Sequence, residues 1–114
     1  MKEIIFVTGN QLKFESAQTV LRSYGIEPIQ KTIDLPEIQA LTTEEIAGHS
    51  AKEASNIFKA NVVTSDVGYF IKALNGFPGP FLKQINSWFS AQDFLNLMKD
   101  KDNREVEIVE TLAY

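Results

Sequence analysis

The opening run "KEIIFVTGNQLKF" passes from an apolar stretch to a helical pattern through a single glycine. Its first part reads as a buried strand, because an apolar run of this length ends at turn residues. Gly9 permits a sharp turn and Asn10 is a good helix N-cap. Phe14, Ala17, Leu21 and Tyr24 then recur at i, i+3, i+7 and i+10, which predicts a helix with one apolar face and Gly25 as its stop. A strand feeding directly into a helix sets the alternation that the rest of the chain continues.

"IEPIQKTI" predicts a second strand, at a sheet edge because of Pro28. "DLPEIQALT" reads as a loop. Thr42 and Glu45 have capping-box spacing, and Ala47, Ala51, Ala54 and Phe58 form one face of a second helix, weakened by Gly48. "NVVTSD" and "GYFIKAL" read as two strands, or one strand bent near Gly68. In "LNGFPGP", Asn75-Gly76 signals a turn, and Pro78-Gly79 is placed as a type II turn requires. Pro80 suits a first helical position, followed by an apolar face of Phe81, Leu82, Ile85, Trp88 and Phe89. Ser90 with Asp93 opens a short helix carrying Phe94, Leu95 and Met98, and "REVEIVETLAY" reads as a last strand. The order βαβαββααβ is an α/β pattern, one domain over residues 1–114. The apolar end on Leu112, Ala113 and Tyr114 suggests either a docked terminal strand or a segment that should follow, in this chain or a partner.

Composition narrows the function classes. With 114 residues, 44% of them apolar, the chain can build a core. It has no cysteine, which excludes disulfides, thiolate metal sites and a cysteine nucleophile, and one histidine, His49, which reads as a surface residue on the second helix. A net charge of -4 and a pI near 4.9 argue against nucleic acid as a partner, though not against small phosphates. With neither a signal-peptide run nor a membrane span, the expectation is a cytoplasmic protein without a membrane partner.

Four places can carry chemistry. In "TGNQLK", a glycine turn and a helix start put free N–H groups and a positive dipole end together. Lys13, third in that helix, is disfavoured by the dipole; an anion over the turn would explain it, and an ordinary turn with a tolerated lysine is the alternative. The spacing is not that of a Walker A loop. Glu37, with Asp34 and behind the stiff Pro36, offers carboxylate oxygens, or is simply a solvated loop acid. Asp66 is an acid in an apolar strand with Gly68 nearby; it either faces a ligand crevice or is a hydrogen-bonded structural acid. Lys83 stands three residues into the helix begun at Pro80. Trp88 and its phenylalanine neighbours read as core or interface. Acids with oxygen ligands and lysines at helix starts together suit Mg²⁺ and a polyphosphate.

Three blocks, "FVTGNQLKFE", "IDLPEIQ" with its following "EEI", and "SDVGYFIKALNGFPGPFLK", resemble in order and separation the inosine triphosphate pyrophosphatase (Ham1-like) family. The resemblance runs through essentially the whole chain. It implies an elongated mixed β-sheet flanked by helices, a cleft between two lobes, a homodimer, and Mg²⁺-dependent hydrolysis of ITP, dITP and XTP to monophosphate and pyrophosphate. It implies phosphate binding at Thr8, Gly9, Asn10 and Lys13, metal binding at Glu37 and Asp66, water activation at Asp66, and a further substrate-binding lysine at Lys83. The chain departs from the family pattern at three points. Ser65 replaces the first of two strand acids. A lysine expected near Ser50 is absent, and Lys52, two positions on, lies roughly 200° around the helix. A second, base-reading lobe with a late Ser-His-Arg motif is missing. These departures motivate an alternative, a nucleotide-binding or assembly protein that keeps the phosphate cradle without turnover.

Overall fold

The structure is a computed structural model that describes residues 2–34 and 37–114. Strand β1 (Lys2–Val7) lies between β2 (Ile26–Lys31) and β3 (Val62–Ile71), parallel to both. Pro28 therefore sits on an edge strand, where its missing N–H costs no ladder bond. Helix α1 (Gln11–Arg22) connects β1 to β2, and α2 (Thr43–Phe58) crosses back from β2 to β3. Right-handed crossovers running in opposite directions put the two helices on opposite faces of the sheet.

Residues 62–71 form one ten-residue strand, not two. Its first residues pair with β1, as Ile5 with Val62 and Phe6 with Val63. Beyond them it runs past the end of β1 and pairs antiparallel with β5 (Val106–Ala113), from Thr64 opposite Ala113 to Ile71 opposite Val106. A two-residue strand, β4 (Pro78–Gly79), adds to its far end. The sheet is mixed and flanked by helices, and the molecule is elongated, 54 × 28 × 20 Å.

The core lies where α2 meets the sheet. Ala51, Ala54 and Val62 are buried, with Ile5, Val7, Ile33, Phe58 and Ala113 packed around them. Small residues on α2 let its backbone approach β3 closely, and Thr64 Oγ donates to the Ala47 carbonyl at 2.8 Å. Thr43 and Thr111 hydroxyls, 2.8 Å apart, join the start of α2 to β5. Thr42 caps α2 through the Glu45 N–H. On the other face Phe6 and Phe14 are buried beneath α1.

Several local expectations shift. Tyr24 lies beyond the end of α1 and is exposed, since the chain has turned by Gly25 (φ +73). The turn after the Phe77–Pro78 cis peptide is displaced by one residue from a Pro78-Gly79 centre. Gly79 (φ +57) and Pro80 occupy its middle, and it closes from the Phe81 N–H to the Pro78 carbonyl at 3.1 Å. Helix α3 (Leu82–Asn86) therefore begins after Pro80, and Lys83 is its second residue. It ends where the Ser87 hydroxyl and N–H both return to the Gln84 carbonyl. Trp88 falls outside α3 and is 75% exposed, so it is not a core residue. Phe89 instead joins Phe77 and Phe94 in an aromatic cluster with centroids 5.3–6.4 Å apart, which seats α4 (Ala91–Leu97). Ser90 and Asp93 form the expected capping box. No described helix is long and apolar enough to cross a membrane.

Gly68 is buried under the Phe70 ring. A Cβ there would stand 2.6 Å from Phe70 Cε2 and 3.1 Å from Thr43 Cγ2. Gly48 is exposed on α2 with nothing within 4 Å of an added Cβ. Gly68→Ala is expected to destabilise the fold by about 1–3 kcal/mol, and Gly48→Ala to stabilise it by about 0.5–1 kcal/mol. Denaturant unfolding of the two variants checks both signs.

Candidate functional site

The strand order β2-β1-β3 reverses direction at β1, and in an α/β sheet a ligand crevice opens at the carboxyl ends of the strands beside such a reversal. A cleft of about 1060 Å³ lies there. Its walls are the turn after β1, the segment after β2, the middle of β3, and α3. Thr8, Gly9, Asn10, Lys13, Glu37, Asp66 and Lys83 all line it, so these seven candidate residues border one space. Asp34 does as well, whereas Pro36 falls outside the described residues.

The β1–α1 turn is held tightly. Thr8 N–H donates to the Lys31 carbonyl, and its own carbonyl accepts from Gln30 Nε2 at 3.1 Å and Thr32 Oγ at 3.3 Å. Asn10 N–H donates to Thr8 Oγ, and Asn10 Oδ1 caps α1 at the Lys13 N–H, each at 3.1 Å. The Asn10 side-chain oxygen is thus committed to the cap, and the first-turn N–H groups of Gln11 and Leu12 lack an intrahelical acceptor. Gly9 does not adopt a left-handed conformation, and an added Cβ would meet only Thr32 Cγ2 at 3.8 Å. Its contribution is bare backbone at the cleft wall rather than a special turn geometry.

Ser65 and Asp66 are consecutive on β3, so their side chains leave opposite faces of the strand. Lys13 Nζ donates to Ser65 Oγ at 3.0 Å. Asp66 is half-buried, and its Oδ2 is sealed from solvent without a hydrogen-bond partner. Burial, reinforced by the nearby Glu37 carboxylate and opposed by Lys13, pushes its carboxyl pKa up to about 6. Lys83 is exposed at the rim. His49 is half-buried on α2, its Nε2 4.0 Å from Glu53 Oε1, and does not border the cleft.

Sequence reasoning did not single out Thr32, Thr64, Gln84 or Ser87, which also line the walls. Ser50 lines the cleft and Lys52 does not, as the 200° rotation along α2 requires. The donor set fits a hard divalent cation. Glu37 and Asp66 offer two carboxylates in one cleft, one of them with an unpartnered oxygen, and a magnesium-like ion commonly takes one or two carboxylates and keeps waters. Among the described residues no cluster of three His, Cys, Asp or Glu provides a fuller cage.

The sequence profile of the Ham1 family matches residues 4–114. A dITP/XTP pyrophosphatase from Methanosarcina acetivorans is 36% identical over the whole chain, which spans 62% of that relative. One from Methanopyrus kandleri is 35% identical over 98% of the chain, covering 60% of the relative. An inosine triphosphate pyrophosphatase from Emericella nidulans is 32% identical, with 61% of its length matched. In structure, a HAM1 protein from Coxiella burnetii superposes with a TM-score of 0.81 at 25% identity, over 98% of this chain and 63% of that one. The chain spans about three-fifths of the length of the curated relatives it matches.

Asp66 also leaves a mark on stability. A carboxyl whose pKa is raised on folding, here from 3.8 to about 6, stabilises the fold fully below pH 3.8 and loses that contribution as the pH rises through 6. Asp66→Asn removes this dependence. Discounted for the carboxyl's solvent contact, the variant is expected to be about 1–2 kcal/mol more stable than the wild type at pH 7.5. The advantage should vanish below pH 4. Thermal melts of both proteins across that range check it.

Proposed function

The chain belongs to the Ham1 family, and from that premise we propose that it is a Mg²⁺-dependent pyrophosphatase of the cytoplasmic pool of deaminated purine nucleoside triphosphates. Its substrates would be dITP, XTP and ITP, cleaved to monophosphate and pyrophosphate. The observation that carries the reading is the meeting in one cleft of Asp66, a half-buried acid with an unpartnered oxygen, with Glu37, the Thr8–Asn10 turn and two lysines. The names of the relatives support the substrate class.

Mg²⁺ held by Glu37 and Asp66 would neutralise phosphate charge and polarise the bond that breaks. The residues around it do the rest. The bare Gly9 backbone lets phosphate oxygens approach the first-turn N–H groups of α1. Lys13 and Lys83 bring positive charge to the triphosphate. Asp66 orients the attacking water and accepts its proton as the water oxygen bonds to the α-phosphorus. The bond from that phosphorus to the bridging oxygen breaks, and pyrophosphate leaves. Catalysis is then mainly positioning and charge stabilisation.

A second reading, nucleotide binding without turnover, is favoured by Ser65 standing beside Asp66 in place of a second acid. We also propose a homodimer, because Trp88, Ile108 and Leu112 are each at least 60% exposed. Sedimentation should show a dimer, and a monomer at high concentration overturns that proposal.

Pyrophosphate release from dITP, XTP, ITP and ATP with Mg²⁺ tests the function. Release from the first three should exceed that from ATP and stop on chelation of the metal. Asp66→Asn should lower it at least about 100-fold. Lys13→Ala should raise KM about tenfold, as loss of a charged contact does. Nucleotide binding in calorimetry without release above the Asp66→Asn level supports the second reading instead.

A further inference from the structure

Among the described residues, Lys13 is the one cation in the cleft whose head group has a fixed partner. It reaches from the first turn of α1 to β3 and donates to Ser65 Oγ at 3.0 Å. That acceptor is a neutral hydroxyl. Three carboxylates, Asp34, Glu37 and Asp66, border the same space, yet among the described residues none pairs with Lys13. Strand alternation explains the separation from Asp66. Ser65 and Asp66 leave opposite faces of β3, so holding the ammonium on Ser65 keeps it off the neighbouring acid.

We infer that Ser65 is a positioning residue for anion recognition: its hydroxyl fixes Lys13 at the cleft wall without neutralising it, and the cleft takes a polyphosphate chain before any metal is bound. The inference rests on the polyphosphate reading above and adds an order of events. A carboxylate at position 65 would hold Lys13 in place equally well, but as an ion pair, and the anion would then compete with it. A hydroxyl restrains the long lysine stem, lowering the ordering cost of binding, and leaves the charge for the ligand.

The test is calorimetric binding of inorganic tripolyphosphate in the presence of a chelator, followed by dITP turnover with Mg²⁺. The wild type should bind tripolyphosphate without metal. Ser65→Ala should bind it about fivefold more weakly, the loss of one hydrogen bond. Ser65→Thr, which keeps the hydroxyl, should restore affinity to within about twofold of wild type. Ser65→Asp should bind at least about tenfold more weakly, because the cation is paired. In turnover, Ser65→Ala should raise KM more than it lowers kcat, a split that a purely structural defect would not produce. Should Ser65→Asp fail to fold, Lys13→Gln replaces it and should lose at least as much affinity.

Unchanged affinity in Ser65→Ala, or equal or tighter metal-free binding by Ser65→Asp, overturns the inference. So does a wild type that hydrolyses dITP with Mg²⁺ but binds no tripolyphosphate without it, and in each of these cases the proposed function stands. A wild type that neither binds tripolyphosphate nor hydrolyses dITP overturns both.

Discussion

The length of β3 governs the arrangement. One strand pairs in parallel with β1 at its start and antiparallel with β5 over the rest. Its first residues belong to the βαβ layer, where Val62 is buried against Ala51 and Ala54. The remaining residues extend the sheet beyond the end of β1. The cleft lies where one pairing gives way to the other, so the continuity of β3 both elongates the molecule and places Ser65 and Asp66 beside the α1 helix start. Had the chain broken at Gly68 into separate strands, no single backbone would link the two regions. Gly68 instead stays within the strand, with the Phe70 ring packed over it.

Burial across this frame is uneven. The α2 face is closed by small residues and by hydroxyl contacts from Thr64 and Thr43. The opposite face of the β3–β5 ladder leaves Ile108 and Leu112 largely exposed, and no large side chain among the described residues is fully buried. An apolar groove of about 740 Å³ runs between α1 and the end of β5, lined by Leu12, Val20, Leu112 and Tyr114, and it shares Asn10, Lys13 and Ser65 with the cleft.

Much of the fold was legible because local chemistry and global placement agree. The Asn10 and Thr42 caps, the alanine face of α2, the Ser90–Asp93 box and the edge position of Pro28 all stand as their residue types require. The candidate site residues were legible for a related reason. An acid in an apolar strand and a lysine at a helix start each conflict with local stability, and such conflicts mark the cleft. Less legible was anything set by partners distant in sequence. The offset turn at Gly79 and Pro80 depends on β4 meeting β3, and the exposure of Trp88 depends on where Ser87 ends α3. Ser65 stood out only as a departure from the family pattern, because a serine in a strand violates no local rule. Its meaning comes from Lys13, 52 residues away in sequence.

The alternation along β3 gives strand register a chemical content. A slip of one residue would exchange the faces of Ser65 and Asp66, setting a carboxylate against Lys13 and a hydroxyl toward Glu37. The cleft would keep its composition and lose its arrangement of charge. Thr64 bonded to Ala47, Gly68 seated under Phe70, and the eight paired residues facing β5 all oppose such a slip. The features that look purely architectural in this strand thereby also decide which charge meets which.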